Sequence, residues 1–388
     1  MDGRQLLFVS SYIPEKMYNR NVKDLRDQQT QKFDRLMIKG FLSNGFSVDC
    51  VSFLSGINGI DDEFETDEEG CHFCIFTNSN RTNHWDVVKK SYKKTEAYLH
   101  KYENAVVVCN VLNISMALGA VLAARKNGNR VIGFITDMPN FMFGEHSIHK
   151  VIDDFVISRC TDLIFLTEQM TRKYRKKNRK YSIMEGLADF SNLEKFKEGA
   201  SEKQIDTSRP KVLMYAGSLH KCYGIEMLVK AFSRAEDADA ELHIYGKGDF
   251  GNDLLQYAKN NKRIRYFGVV LNEQVVSAEK EADLLVNPRT SEGEYTKYSF
   301  PSKVIEYMAS GTPVLMNMLP GIPDEYRKYC YCFESETVDG YVNSLNHVLS
   351  MDLRTLRAMG EQAQEFVYAH KNYTAQIKKV LIDLDLED

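Results

Sequence analysis

The strongest constraint on this chain is an alternation along its whole length: short apolar runs of strand composition are followed by amphipathic stretches of helical period. LLFVSS (6–11) leads into QTQKFDRLMIKGFLSNG (29–45), then FSVDCVSFL (46–54) and, after an acidic loop, HFCIFT (72–77). HWDVVKKSYKKTEAYLHKY (84–102), AVVVCNV (105–111), VIGFIT (131–136), IHKVIDDFVISR (148–159), DLIFLT (162–167) and YSIME (181–185) continue the pattern. Strand and helix can bury their apolar faces together only by stacking helix on sheet. Repeated βα units therefore predict an α/β fold with a parallel sheet and right-handed crossovers.

The series breaks once, at the polar stretch SNLEKFKEGASEKQIDTSRP (191–210), which reads as a linker. A second series follows: KVLMYAG, GIEMLVKAFSRA, AELHIYG, NDLLQYAKNN, IRYFGVV, EQVVSAEKEA, DLLVNP, SKVIEYMASG and TPVLMN, closed by two amphipathic helices, LRTLRAMGEQAQEFVYAHK and TAQIKKVLIDL. The 388 residues exceed the ~250–300 at which single cores stop growing, so two domains are expected, 1–200 and 205–371. Hydrophobic residues at 43% and only 8 prolines exclude disorder and fibre. Doubly wound domains bind ligands at the carboxyl ends of their strands, which predicts a site in the cleft between the two.

The uncharged run from Ala105 to Ala124 is long enough to span a bilayer. Its change from AVVVCNV to SMALGAVLAARK predicts a strand, a turn and a helix instead. The N-terminus, MDGRQLLFVSS, lacks the form of a secretory signal, so the cytosol is the expected compartment. Residues 1–200 hold 28 basic against 26 acidic side chains and the remainder 22 against 28, for a net −4 that argues against a dedicated nucleic-acid binder. The eight cysteines fall mostly singly in apolar surroundings and are expected to stay reduced. Cys71 and Cys74 form a C-x-x-C, but without a second pair or a helix start they read as strand cysteines. His146 and His149 lack the H-E-x-x-H of a metal pair.

Three segments carry candidate chemistry. Gly246-Lys247-Gly248-Asp249-Phe250-Gly251 matches G-x-G-x-x-G between a strand and a helix, yet no acidic residue for a ribose follows about 20 residues on, so a nicotinamide cofactor is not expected. KYSFPSKVIEYMASGTPVLMN places Pro301 and Ser302 at a helix start, where free amides and the helix dipole suit a phosphate. Lys303 adds charge there, and Glu306, one turn on, can accept bonds from the vicinal hydroxyls of a ribose. YAGSLHKCYGI, with Gly217 and Gly224 flanking a basic loop, is a second place for a pyrophosphate.

These motifs, in this order through YAGSLHKCYGIEMLVKAF, ELHIYGKGDFG, RIRYFGVV, EADLLVNPR and KYSFPSKVIEYMASGTPVL, resemble the nucleotide-sugar domain of glycosyltransferase family 4, retaining enzymes of the GT-B fold with two Rossmann-like domains facing across a cleft. The resemblance is close over about 210–370 and looser before it, through VIGFITDMP, DLIFLTEQM and MEGLAD. It implies that Glu306 is the second glutamate of the family's E-x7-E and holds the donor ribose. The backbone at Gly217, Ser218, Pro301 and Ser302 would hold the diphosphate, and Gly268 and Val269 would meet the base. The first glutamate falls at Tyr298, with Glu294 a speculative substitute, and the family's basic pair falls at Ser218 and Tyr223. Charge for the leaving diphosphate must then come from Lys221, Lys303 or Arg289.

The resemblance also implies that residues 1–200 receive the acceptor and that the last helix, 372–388, packs back on them. Asp137 in FITDMP would orient the acceptor hydroxyl or the sugar, or is a turn aspartate before Pro139. No metal and no cofactor beyond the nucleotide sugar, most readily a UDP-sugar, is expected. The FPSK-x-x-EYMASG form resembles enzymes of bacterial surface-polysaccharide synthesis, and the acceptor would be a glycan or lipid-linked glycan. Seven basic residues in 172–180 are either a solvated helix end or a contact with an anionic membrane surface at the inner face of the cell membrane. A GT-B epimerase or phosphorylase, or a non-catalytic nucleotide-sugar-binding protein, are the alternatives.

Overall fold

The computed structural model describes residues 4–21, 28–53, 63–77, 83–139, 148–190 and 208–387. It divides into two units, Met1–Leu187 with Tyr373–Asp388, and Ala188–Asn372. The first unit ends earlier than the expected boundary at 200, and most of the expected linker, 191–207, lies outside the described residues.

The first unit is built on eight strands: β1 (Arg4–Ser10), β2 (Phe46–Phe53), β3 (Glu63–Glu68), β4 (Cys71–Phe76), β5 (Val106–Asn110), β6 (Val131–Ile135), β7 (Asp162–Phe165) and β8 (Tyr181–Ile183). Their order is β3-β4-β2-β1-β5-β6-β7-β8, parallel throughout except for β3 on β4. The central strands β1, β5, β6 and β7 read as continuous apolar runs because helices cover both faces of a parallel sheet. The run from Ala105 is accordingly β5, a turn, and the helix Ile114–Lys126, and no described helix is long and apolar enough to cross a membrane. Cys71 and Cys74 both lie buried on β4.

The acidic loop before HFCIFT is a misreading: EFETDE is β3, an antiparallel edge strand. Its charges suit an edge, where they deter pairing with another chain. His72 meets Asp67 across the pair at 2.8 Å, and Lys94 pairs with Glu63.

Helix Tyr373–Asp383 belongs to the first unit and lies along helix Gln28–Ser43. The approach is close enough to demand a glycine, since a Cβ on Gly40 would sit 2.4 Å from Ile377 Cγ1 and 2.7 Å from the Tyr373 carbonyl. Gln376, buried there, donates to Glu185 at 3.1 Å and to the Gly186 carbonyl at 3.3 Å.

The second unit carries β9 (Val212–Ala216), β10 (Glu241–Tyr245), β11 (Ile264–Gly268), β12 (Leu284–Asn287), β13 (Val314–Met316) and β14 (Tyr331–Cys332). The order β11-β10-β9-β12-β13-β14 is that of a Rossmann domain, all parallel. Leu228, Phe232, Leu242, Ile244 and Phe250 are fully buried in its core, each burial worth about 2 kcal/mol. The helix Leu353–His370 starts on Asp352, whose carboxylate accepts from the amides of Arg354 and Thr355.

Candidate functional site

In the second unit the strand-end loops are stitched to one another by main-chain bonds. Gly246 N donates to Gly268 O at 2.7 Å, Gly217 N to Tyr245 O at 3.0 Å, and Leu219 N to Lys247 O at 2.9 Å. The loops after β9, β10 and β11 thus form one continuous wall. Gly246 is required there: its φ is 125°, and a Cβ would lie 1.8 Å from the Gly217 carbonyl oxygen. Tyr215 Oη donates to Ser218 O at 2.8 Å, and Tyr266 Oη to Gly246 O at 2.9 Å, so the turns are pinned from beneath as well.

The fourth side comes from the helix Ser302–Ala309, which starts after Pro301 as its motif predicts. Fully buried Tyr307 fastens this helix to the end of β9, donating to Ala216 O at 3.1 Å and accepting from Ala216 N at 3.0 Å. Burial pushes the Tyr307 hydroxyl well above its ordinary value, so it stays a neutral donor. Lys303, one turn earlier, reaches over Gly217: a Cβ at 217 would lie 3.1 Å from Lys303 Cε.

Together these elements line an open cavity of about 730 Å³, a size that holds a small molecule. Of the residues singled out from sequence, Gly217, Ser218, Val269 and Lys303 line it. Gly268, with φ 69°, precedes Val269 and supplies the carbonyl that receives Gly246 N. Glu306 is half-buried one turn beyond Lys303, Pro301 is buried, Ser302 is exposed, and Tyr298 ends the short turn Glu294–Tyr298. Gly268, Glu306, Pro301, Ser302 and Tyr298 are not in the cavity wall.

Two of the expected cations are turned elsewhere. Lys221 pairs with Asp253 at 2.7 Å, and that hydrogen bond raises its pKa. Arg289 lies between the rings of Tyr223 at 5.2 Å and Tyr295 at 5.5 Å, with its Nε buried and without a hydrogen-bond partner among the described residues. In their place the wall contains His220, Lys247 and Tyr245. The signal for Lys247 was present in the sequence, because the G-x-G-x-x-G that fails as a dinucleotide fingerprint is the loop that closes on Gly217. Asp137 belongs to the first unit, exposed just past the carboxyl end of β6.

A wall of main-chain turns, a helix start and two lysines suits an anionic ligand. Residues 210–351 match the family of glycosyl transferases group 1. The full chain superposes on solved GT-B structures: sucrose-phosphate synthase from Thermosynechococcus elongatus (TM-score 0.68, 15% identity, 99% of each chain) and HepE from Anabaena in complex with UDP (0.63, 12%, 99% and 100%). The α,α-trehalose 6-phosphate synthase of Burkholderia multivorans gives 0.67 at 10% identity, over 100% and 97%. The chain has the GT-B fold. No curated protein matches the sequence. The group 1 match falls in the unit that holds the cavity, so the glycosyltransferase region and the anion-suited wall coincide.

Proposed function

We propose that this protein is a glycosyltransferase of family 4 and moves a sugar, with retention, from a nucleoside diphosphate donor, UDP-linked, to a glycan or lipid-linked glycan in bacterial surface-polysaccharide synthesis. The observation that carries the reading is Lys303, held over Gly217 at a helix start, with both residues and Ser218 on the cavity wall. HepE, of the same fold, has been solved with UDP and with UDP-glucose, which supports the choice of nucleotide.

In this reading residues 205–371 hold the donor and 1–200 the acceptor. The amides of Gly217 and Ser218 and those at Pro301 and Ser302 meet the diphosphate, Glu306 the ribose, Gly268 and Val269 the base, and Tyr298 the sugar. Lys303, with Lys221 and Arg289 turning in from their present partners, neutralises the charge that develops as the glycosidic C–O bond to phosphate breaks. The departing phosphate takes the proton of the acceptor hydroxyl as that oxygen bonds to the sugar on the same face, with Asp137 orienting it. The reading takes no metal or cofactor besides the nucleotide sugar.

A place at the inner face of the cell membrane is part of the proposal. Arg172, Lys173, Arg175, Lys176, Lys177 and Lys180 are exposed, beside the helix Ile148–Arg159, on which Val151 and Phe155 are 66% and 39% exposed. Tyr174 and Lys173 both reach Asp154, which joins the two segments into one face. Basic charge next to exposed apolar side chains is what an anionic bilayer surface attracts.

The deciding experiment is turnover. Purified protein with UDP-, GDP- and ADP-sugars should release nucleotide from one of them and transfer its sugar, and Glu306→Ala should abolish both. Nucleotide binding without turnover by any donor would leave a binding protein instead.

A further inference from the structure

Away from the donor cavity, β14 carries a second site. Cys332 lies on this edge strand, which pairs Tyr331 with Leu315 and Cys332 with Met316 of β13, and Cys330 immediately precedes it. Their sulfurs are 3.9 Å apart. Both face a cavity of about 350 Å³ whose wall includes Glu334, Asn343 and His347 and shares no residue with the donor cavity. Arg327 Nη1 approaches Cys332 Sγ at 4.0 Å. Cys330 is buried, its Sγ 3.3 Å from the Tyr326 carbonyl, whereas Cys332 is partly open.

We propose that Cys330 and Cys332 form an oxidisable dithiol that reduces a low-molecular-weight disulfide and closes into an intrachain disulfide. The chemistry balances in two exchanges. The Cys332 thiolate attacks one sulfur of the small disulfide RSSR, its S–S bond breaks, and RS⁻ leaves and is protonated by water. The Cys330 thiol gives its proton to solvent and attacks Cys332 Sγ in the mixed disulfide, expelling the second RS⁻. Two electrons and two protons pass from the pair to RSSR, which becomes two RSH.

The assignment of roles follows from the surroundings. The hydrogen bond from Cys330 and then the charge of Arg327, against partial burial, hold the Cys332 thiol down at about 7. The same contact, with burial, pushes Cys330 up, so it keeps its proton until the mixed disulfide forms. In an extended chain such i,i+2 residues have Cα atoms about 6.6 Å apart, within the ~4.4–6.8 Å that disulfides bridge. Elsewhere among the described residues the cysteines that neighbour one another, Cys50 with Cys71 and Cys109 with Cys160, are buried throughout. Cys222 is exposed.

The test is to incubate the full chain with oxidised glutathione at neutral pH, alkylate the remaining thiols and map the peptides by mass. The peptide holding residues 330 and 332 should appear lighter by two hydrogens and unalkylated, with Cys332 reacting about tenfold faster than Cys222. Cys330→Ser should accumulate the glutathione adduct on Cys332. Cys332→Ser should leave Cys330 free to alkylate after unfolding, and circular dichroism should show both variants folded. A stable adduct on Cys332 in the wild type, or two free thiols under conditions that modify Cys222, overturns the proposal.

Discussion

In the second unit the buried carboxylate of Asp283 receives both ends of Arg209, at 2.6 and 2.7 Å, and the Val212 amide at 2.8 Å. In the first unit Asp34, fully buried on helix Gln28–Ser43, has neither oxygen hydrogen-bonded among the described residues, and Asp153 is the same. Both units are doubly wound, but their buried polar groups are handled differently. The second is over-determined around its strand ends, with Gly246, Tyr215, Tyr266 and Tyr307 each fixing a loop that lines the cavity. In the first, Asp162 is paired with Arg130 at 2.7 Å, but Asp34 and Asp153 are kept neutral instead. Burial pushes Asp34 up to about 8, the nearby Ser10 hydroxyl opposing, and pushes Asp153 up to about 7, with Asp154 adding to it. The lesson is that the stitched strand-end turns of the second unit leave little room for variation, whereas acids buried on helices of the first are tolerated as neutral groups.

The sharpest way to break this contrast is Gly246→Ala. Its Cβ would collide with the Gly217 carbonyl in a backbone conformation that L side chains avoid, and clash and strain together cost about 4 kcal/mol. UDP affinity measured by calorimetry should fall at least 100-fold while the first unit is untouched. Affinity within twofold of wild type would show that the stitched wall is not what binds the nucleotide.

The converse test lies in the first unit. Asp34 is neutral when folded up to about pH 8 but ionised in the unfolded chain above about pH 4, so the unfolded state binds fewer protons between them. Its contribution to stability is therefore full below pH 4 and is lost as pH rises toward 8, at about 1.4 kcal/mol per pH unit. Thermal unfolding from pH 5 to 8 should show that decline, and Asp34→Asn should flatten it. Equal slopes in the two proteins would show that the buried acid is not the cause.

Lys303→Ala comes next in size, since one charge-assisted contact is worth about 2 kcal/mol. UDP affinity should drop roughly 30-fold. An equal loss for uridine, which has no phosphates, would place Lys303 outside the diphosphate contact.

How much of this was legible without coordinates follows the same divide. The βα series is written in periods of two and 3.6, and the helix start at Pro301 is written in its residue types. β3 was not legible, because Glu and Asp at an exposed edge have the composition of a loop. The cavity wall was legible only in part. That Lys247 stands beside Gly217 depends on β10 lying next to β9, a fact of strand order rather than of local spacing. That Asp253 pairs with Lys221 was not legible either, because the two are brought together by the packing of separate loops and helices.

The smallest effect is the most discriminating. Tyr307→Phe removes one hydroxyl that meets both the amide and the carbonyl of Ala216, and costs about 1 kcal/mol in lost bonds. If Tyr307 only fills the core, that loss appears in the melting temperature and donor binding is unchanged, because the ring still packs. If it also sets where the helix Ser302–Ala309 begins relative to Gly217, Lys303 shifts with it and UDP affinity falls several-fold while circular dichroism stays the same. The geometry favours the second outcome. The hydroxyl bonds to the residue next to Gly217, so little chain lies between the lost contact and the wall to absorb the change. Unchanged affinity with lowered stability would reduce the second unit's tight wall to ordinary packing and remove its difference from the first.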